Sequence, residues 1–125
     1  MQAICVIDDD VLIRIGLEMA LKKEGFDVRA FSSGCEFLEE GDFSEIGCIV
    51  TDIEMPGGVT GLDLLAETRK TAPDCPVVVM TGKGEGAFRS AALALGARAY
   101  IEKPASPRKI LDAIAGAMRP AVLAA

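Results

Sequence analysis

Five residues that could take part in chemistry stand just beyond short apolar runs. They are Asp8, Asp9, Asp52, Thr81 and Lys103. Apolar runs that stop in polar, glycine-rich or proline-rich segments are typical of buried strands that lead into surface loops. The carboxyl ends of parallel strands meet at one edge of a sheet, where open α/β sheets bind ligands. We therefore expect these five side chains to form a single site, although they come from four separate segments of the chain.

The three carboxylates predict a site for a divalent cation. Carboxylates that are brought close together repel one another, so one must take up a proton or a cation must bind among them. Mg²⁺ is the usual ion for a few carboxylates and water molecules. Such an ion would offset the charge of a phosphoryl group arriving on Asp52, and the Lys103 ammonium and the Thr81 hydroxyl would stabilise it further. The predicted chemistry is phosphoryl transfer to an aspartate.

The elements that must position these residues alternate as strand and helix. Strands are predicted over residues 3–7, 26–31, 46–51, 76–80 and 99–101. Capping residues mark the ends of the helices. Asp10 precedes and Gly25 follows the first helix, from about Val11 to Glu24, and Ser106 with Pro107 begins the last. This alternation predicts an α/β fold, a doubly wound parallel sheet of five strands with five helices.

Helical spacing predicts which residues of three helices face the core. For the first helix they are Leu12, Ile15, Met19 and Leu21. For the second they are Phe37 and Leu38, and for the last Ile110, Leu111, Ile114 and Met118. The fourth helix, over residues 87–95, carries Leu93 and Leu95, which we expect to leave an exposed surface for a partner.

Composition restricts the class of protein. A chain of 125 residues fits one domain, and it has no apolar run long enough to span a bilayer and no signal-like start, so we expect a cytoplasmic protein. Its four cysteines form no C-x-x-C pair and it has no histidine, which argues against a zinc site and for reduced thiols. A net charge of −6 argues against direct binding of DNA.

Four motifs, in this order, resemble those of the response-regulator receiver domain of two-component signalling. They are V-I-D-D-D at the end of the first strand, T-D-I-E-M-P-G-G-V-T-G, V-V-M-T-G and A-Y-I-E-K-P. The resemblance covers almost the whole chain, with the receiver domain at residues 1–119 and a short tail at 120–125. It implies a flavodoxin-like strand order of 2-1-3-4-5. The P-G-G-V-T-G segment is one residue longer than the commonest loop of the family, which leaves the shape of this loop open.

The resemblance also implies a role for each site residue. Asp52 would be the phosphoacceptor, Asp8 and Asp9 the acid pair around Mg²⁺, and Glu54 a metal ligand through its backbone carbonyl. Thr81 would be the switch hydroxyl, Lys103 the cation that pairs with the phosphoryl group, and Tyr100 the aromatic whose rotamer follows Thr81. The family usually has a cis peptide at the position of Lys103-Pro104.

A receiver domain of this kind is a signalling switch and not a conventional enzyme, although it assists its own phosphorylation and dephosphorylation. Its expected partners are a sensor histidine kinase or a histidine phosphotransfer protein. A second copy or a downstream effector would bind the face made by the fourth helix, the fifth strand and the fifth helix. We also expect Glu54 and Lys83 to pair across the mouth of the site and to slow the loss of the phosphoryl group slightly.

Two other interpretations fit parts of the sequence. Asp8-Asp9-Asp10 after the first strand is similar to the opening D-x-D-x-[TV] motif of haloacid-dehalogenase-like phosphohydrolases, with Asp8 as nucleophile and Asp10 as acid/base. However, Leu12 stands where that motif has Thr or Val. Residues 82–86 could form the phosphate loop of a nucleotide-binding module, but their spacing matches neither G-x-G-x-x-G nor G-x-x-x-x-G-K-[ST].

Overall fold

The central strands are buried on both faces, as a parallel sheet covered by helices requires. The computed structural model describes residues 2–82 and 86–118, without the side chains of residues 86 and 87. Its strands are β1 Ala3–Ile7, β2 Val28–Phe31, β3 Ile46–Asp52, β4 Val77–Thr81 and β5 Ala99–Glu102. All pair in parallel, in the order β2-β1-β3-β4-β5. The predicted fold class and strand order are confirmed.

Five α-helices connect and cover the strands. They are α1 Val11–Lys23, α2 Gly34–Glu40, α3 Gly61–Thr71, α4 Gly86–Ala94 and α5 Pro107–Ala117. The predicted caps are present, because the Asp10 side chain accepts from the amides of Leu12 and Ile13, and the Ser106 hydroxyl accepts from the Lys109 amide. Gly25 closes α1 with a φ of 94°, a conformation that glycine adopts without a steric penalty.

Helices on opposite sides of the sheet enclose two apolar cores. On one side Leu17 and Leu21 of α1 and Ile110 and Ile114 of α5 pack against the sheet. On the other side the sheet packs against α2, α3 and α4 through Phe37, Leu64, Leu65 and Ala92. All four cysteines are free thiols, as predicted, and burial raises the pKa of the Cys48 thiol to about 12.

The predicted inward face of α1 is largely wrong. Leu12 is 82% exposed and Met19 67% exposed, and Ile15 also faces solvent, so of the four predicted core residues only Leu21 is buried. Leu17, four positions before Leu21, is the other buried residue of the helix. Because α1 is apolar on two opposite faces, helical spacing alone could not decide which face packs against the sheet.

Smaller differences concern helix contacts and element ends. Leu38 is 43% exposed, whereas its neighbour Phe37 is buried as predicted. Met118 is also exposed, since it follows the last turn of α5. Strand β2 begins two residues later than predicted, and α4 begins at Gly86. Leu93 and Leu95 are exposed, as predicted.

In the part of the chain that the structure describes, no helix is both long and apolar enough to cross a membrane.

The revised orientation of α1 predicts opposite outcomes for two leucines of the same helix. We expect Leu21→Ala to lower the free energy of unfolding by about 2–5 kcal/mol, because it leaves a cavity in the core. Leu12→Ala should change it by no more than about 0.5 kcal/mol, because that side chain is exposed. Urea unfolding of both variants measures the difference. Equal destabilisation would contradict the orientation of α1.

Candidate functional site

The carboxyl edge of the sheet brings the predicted site residues together. Asp52 is the last residue of β3 and Thr81 the last of β4, while Asp8 and Asp9 follow β1 and Lys103 follows β5. Parallel pairing makes these ends neighbours, since Ile7 pairs with Thr51 and Asp52 with Met80. The four segments therefore deliver their polar residues to one place.

Lys103 connects two of the three carboxylates. Its Nζ lies 2.8 Å from Asp8 Oδ2 and 3.1 Å from Asp52 Oδ2. Asp8 is fully buried, and 11% of the Asp52 side chain and 18% of the Lys103 side chain are exposed. Burial makes these charge-assisted hydrogen bonds stronger than pairs on an open surface.

Asp8 is held by four hydrogen bonds. Its amide donates to the Phe31 carbonyl, which ties it to β2, and its carbonyl accepts from Arg14 Nη1 at 2.7 Å. One carboxylate oxygen, Oδ1, accepts from the Asp10 amide at 2.9 Å, and the other accepts from Lys103. Asp8 is thus fixed through its backbone and through both side-chain oxygens.

The site carries more negative charge than its lysine balances. Burial raises the pKa of the Asp52 carboxyl, and the hydrogen bond from Lys103 reverses only part of that effect. Burial would lower the pKa of Lys103, but its hydrogen bonds to Asp8 and Asp52 outweigh burial and raise this pKa. Both shifts are expected where one ammonium faces several carboxylates in a partly buried site.

The geometry of the carboxylates fits a small divalent cation. One oxygen each of Asp8, Asp9 and Asp52 lies within 4.8 Å of the others, and among the described residues this is the group of acidic, histidine or cysteine side chains that could hold a metal. Oxygen donors are what Mg²⁺ prefers. Both oxygens of Asp8 already accept hydrogen bonds and Lys103 also binds Asp52, whereas Asp9 is exposed, so direct coordination would fall first to Asp9.

The loop after Asp52 contains Glu54 and two glycines and is bonded to α2. Glu54 is exposed in this loop, two residues beyond Asp52. Gly57 and Gly58 both have positive φ, 97° and 86°, which explains how the longer loop turns. The Cys35 thiol of α2 donates to the Gly57 carbonyl at 3.2 Å and so connects α2 to this loop.

Thr81 and Tyr100 lie on the same face of the sheet. Val79 faces the core formed with α2, α3 and α4, so the alternation along β4 places Thr81 on that side as well. Tyr100 pairs with Val79 and packs, half-buried, against the same core. The Arg89 guanidinium of α4 lies over the Tyr100 ring, 5.7 Å from its centroid. The Lys103 amide donates to the Thr81 carbonyl at 2.7 Å.

Sequence reasoning missed the contacts of Arg14, Cys35 and Arg89. The position of Arg14, four residues after the helix cap Asp10, is the available signal, because side chains near a helix start lean back toward it. Nothing in the sequence indicates the other two contacts, which join segments that are far apart. Lys83, the expected partner of Glu54, lies outside the described residues, as does most of the glycine-rich segment 82–86.

Comparison with known proteins identifies the family. The family model of the response regulator receiver domain matches residues 4–115. The chain belongs to this family. Among curated relatives of this receiver domain, the transcriptional regulatory protein FixJ of Azorhizobium caulinodans is 39% identical over 109 residues, which are 87% of this chain and 51% of that protein. FixJ of Bradyrhizobium diazoefficiens is 35% identical over 122 residues, or 98% of this chain and 59% of that protein.

Solved receiver domains share the architecture. A response regulator receiver domain protein from Clostridium thermocellum has a TM-score of 0.85 and 30% identity, with both chains fully covered. The Lys103-Pro104 peptide bond is cis, as the resemblance implied. The receiver domain spans only between half and three fifths of the two FixJ proteins.

The site geometry disfavours the phosphohydrolase interpretation of this receiver domain. A nucleophilic Asp8 would have to present a carboxylate oxygen to a substrate, but it is fully buried and both of its oxygens accept hydrogen bonds. Asp10, the acid/base of that interpretation, caps α1 instead. Members of the receiver family are signalling switches.

Proposed function

We propose that Asp52 accepts a phosphoryl group from a phosphohistidine of a sensor histidine kinase or histidine phosphotransfer protein. An Asp52 carboxylate oxygen attacks phosphorus, the phosphorus–nitrogen bond breaks, and the imidazole leaves. The observation that supports this role is the Lys103 ammonium, which lies 3.1 Å from Asp52 Oδ2 at the partly exposed end of β3. The same ammonium can pair with the phosphoryl oxygens, and the Thr81 hydroxyl at the next strand end can donate to them.

Mg²⁺ is the proposed cofactor. Asp8, Asp9 and Asp52 would hold it together with the backbone carbonyl of Glu54, and it would neutralise charge on the incoming phosphoryl group. The excess of carboxylates over ammonium groups supports this proposal, because a divalent cation would relieve the repulsion between the Asp8, Asp9 and Asp52 carboxylates. Asp8 would in addition keep Lys103 in place.

The exposed side of α1 is the proposed contact for the phosphodonor protein. We call the residues Val11, Leu12, Ile15 and Met19 the α1 apolar face. It begins two residues after Asp9, and beside it a groove of about 190 Å³ runs between α1 and the start of α5. Because Asp52 is mostly buried, a donor histidine can reach it only if its protein covers this edge of the sheet. An amphipathic helix of the donor is the occupant that fits.

Phosphorylation would be transmitted through Thr81 and Tyr100 to α4, β5 and α5. A phosphoryl group on Asp52 would draw in the Thr81 hydroxyl, and Tyr100 could then move inward on the same face of the sheet. A second receiver domain or a downstream effector would bind the altered face, where Leu93 and Leu95 are exposed. The net charge of −6 still argues against DNA binding by this chain.

Four expectations remain predictions. They are a receiver domain at residues 1–119 with a tail at 120–125, a cytoplasmic location, a Glu54–Lys83 pair at the mouth of the site, and a role as a switch that assists its own phosphorylation and dephosphorylation.

The acceptor is tested with a small phosphodonor. We expect acetyl phosphate with Mg²⁺ to modify wild-type protein at Asp52, and peptide mass spectrometry locates the modification. Asp52→Asn should remove the label, and excess EDTA should suppress it in the wild type. The matched control is Asp63→Asn, a change to an exposed carboxylate on α3, which should label normally. Label on Asp8 would instead support the phosphohydrolase interpretation.

The α1 apolar face is tested by comparing two kinds of donor. Leu12→Ala with Ile15→Ala should slow phosphotransfer from a purified histidine kinase about tenfold or more, as truncation of interface anchors does. The kinase for this experiment is chosen from a panel of purified histidine kinases as the one that phosphorylates the wild-type protein fastest. Labelling by acetyl phosphate should stay at the wild-type rate. Leu38→Ala, which truncates an exposed leucine on α2, should leave both rates unchanged. Equal slowing with both donors would mean that α1 does not dock the kinase.

The switch can be followed through Tyr100 itself, because the chain has one tyrosine and no tryptophan. Beryllofluoride with Mg²⁺, which mimics the phosphoryl group, should change the tyrosine fluorescence of wild-type protein. Thr81→Ala should still bind beryllofluoride but lose most of the fluorescence change, since it lacks the hydroxyl that would couple Asp52 to Tyr100. Thr68→Ala, at another fully buried threonine, should respond as wild type does. If Thr81→Ala showed the full change in tyrosine fluorescence, the movement of Tyr100 would not depend on the Thr81 hydroxyl.

A further inference from the structure

The hydrogen bond between the Arg14 side chain and the backbone of Asp8 has no role in the proposed function. Arg14 stands in the second turn of α1, and its Nη1 donates to the Asp8 carbonyl at 2.7 Å. That carbonyl belongs to the peptide unit that joins Asp8 to Asp9. Because a peptide unit is planar, a bond that fixes the carbonyl also fixes the Asp9 amide and limits where the Asp9 side chain can point.

The two acids depend on this peptide unit to different degrees. Asp8 is also held by its amide, which donates to Phe31, and by both carboxylate oxygens. Asp9 is exposed. The Asp9 backbone is held on one side by the peptide that Arg14 bonds and on the other by the Asp10 amide, which donates to Asp8 Oδ1. Its carboxylate is exposed, so Asp9 is the acid of the pair with more freedom to reach an ion.

We infer that Arg14 is a positioning residue for Mg²⁺, which acts by holding the Asp8–Asp9 peptide so that the Asp9 carboxylate faces the site. This inference rests on the proposed Mg²⁺ site. Residues behind direct metal ligands commonly change metal affinity when they are removed.

The positive charge of Arg14 allows a test of the inference through the direction in which Mg²⁺ affinity changes when Arg14 is replaced. A guanidinium near the acids repels Mg²⁺, so its removal should strengthen Mg²⁺ binding if charge were its only influence. Loss of positioning should weaken binding instead. The two influences therefore predict opposite changes in affinity.

The experiment is calorimetric titration of Mg²⁺ into wild type, Arg14→Met and Arg14→Lys. Methionine keeps much of the aliphatic stem but removes the donors and the charge. We expect Arg14→Met to raise the Kd for Mg²⁺ roughly tenfold or more. Arg14→Lys, which keeps a donor and the charge, should recover most of the affinity. Labelling by acetyl phosphate should return to the wild-type rate when Arg14→Met is saturated with Mg²⁺.

The control is Arg108→Met on α5, where an exposed arginine pairs with Glu24 and Asp112. It should bind Mg²⁺ as wild type does. Thermal unfolding in EDTA shows whether each variant is folded at the titration temperature. A folded Arg14→Met with unchanged or tighter Mg²⁺ binding would overturn the role of Arg14, even if its melting temperature were lower. Failure of the wild type to bind Mg²⁺ would overturn the proposed cofactor, and the inference with it.

Discussion

One ammonium group holds two carboxylates together at the carboxyl edge of the sheet. Lys103 forms ion pairs with Asp8 and Asp52, and Asp9 lies beside them. The cluster therefore has three carboxylates and one ammonium group. Burial is the main cause of the raised pKa of Asp52, and the charge of Asp8 adds to it, while Lys103 acts in the opposite direction. In the proposed function the surplus negative charge would attract a cation, and that cation would reduce the repulsion that a phosphoryl group on Asp52 would meet.

The parallel sheet is what allows residues so distant in sequence to share this lysine. Lys103 reaches the site because β5 ends beside β4, where its amide bonds the Thr81 carbonyl. Asp8 reaches it because β1 lies between β2 and β3, and its amide bonds Phe31 at the end of β2. A shift of one residue in either strand would turn these side chains to the other face, so the buried apolar registers also fix the geometry of the acids.

The fold and the membership of the site could be predicted from the sequence because both depend on local patterns. Apolar runs that end in Asp8, Asp52 and Thr81 indicate strand ends, and parallel strands bring such ends together. The inward face of α1 could not be predicted in the same way. Apolar residues cover two sides of that helix, and only packing against α5 and the sheet selects Leu17 and Leu21 over Leu12 and Met19. Contacts such as Arg89 with Tyr100 depend on side-chain placement between helix and strand, which no local pattern specifies.

The two-sided character of α1 then gains a physical explanation. This helix of 13 residues packs into the core through Leu17 and Leu21, bonds the peptide between the two acids through Arg14, and exposes Leu12, Ile15 and Met19 to solvent. A close-packed core has low compressibility and transmits strain. A protein that docks on its exposed side, as we propose for the phosphodonor, would therefore press on the helix whose Arg14 bonds the peptide before Asp9. The proposed contact with the phosphodonor protein and the proposed metal site would in this way be connected through one helix and its Arg14.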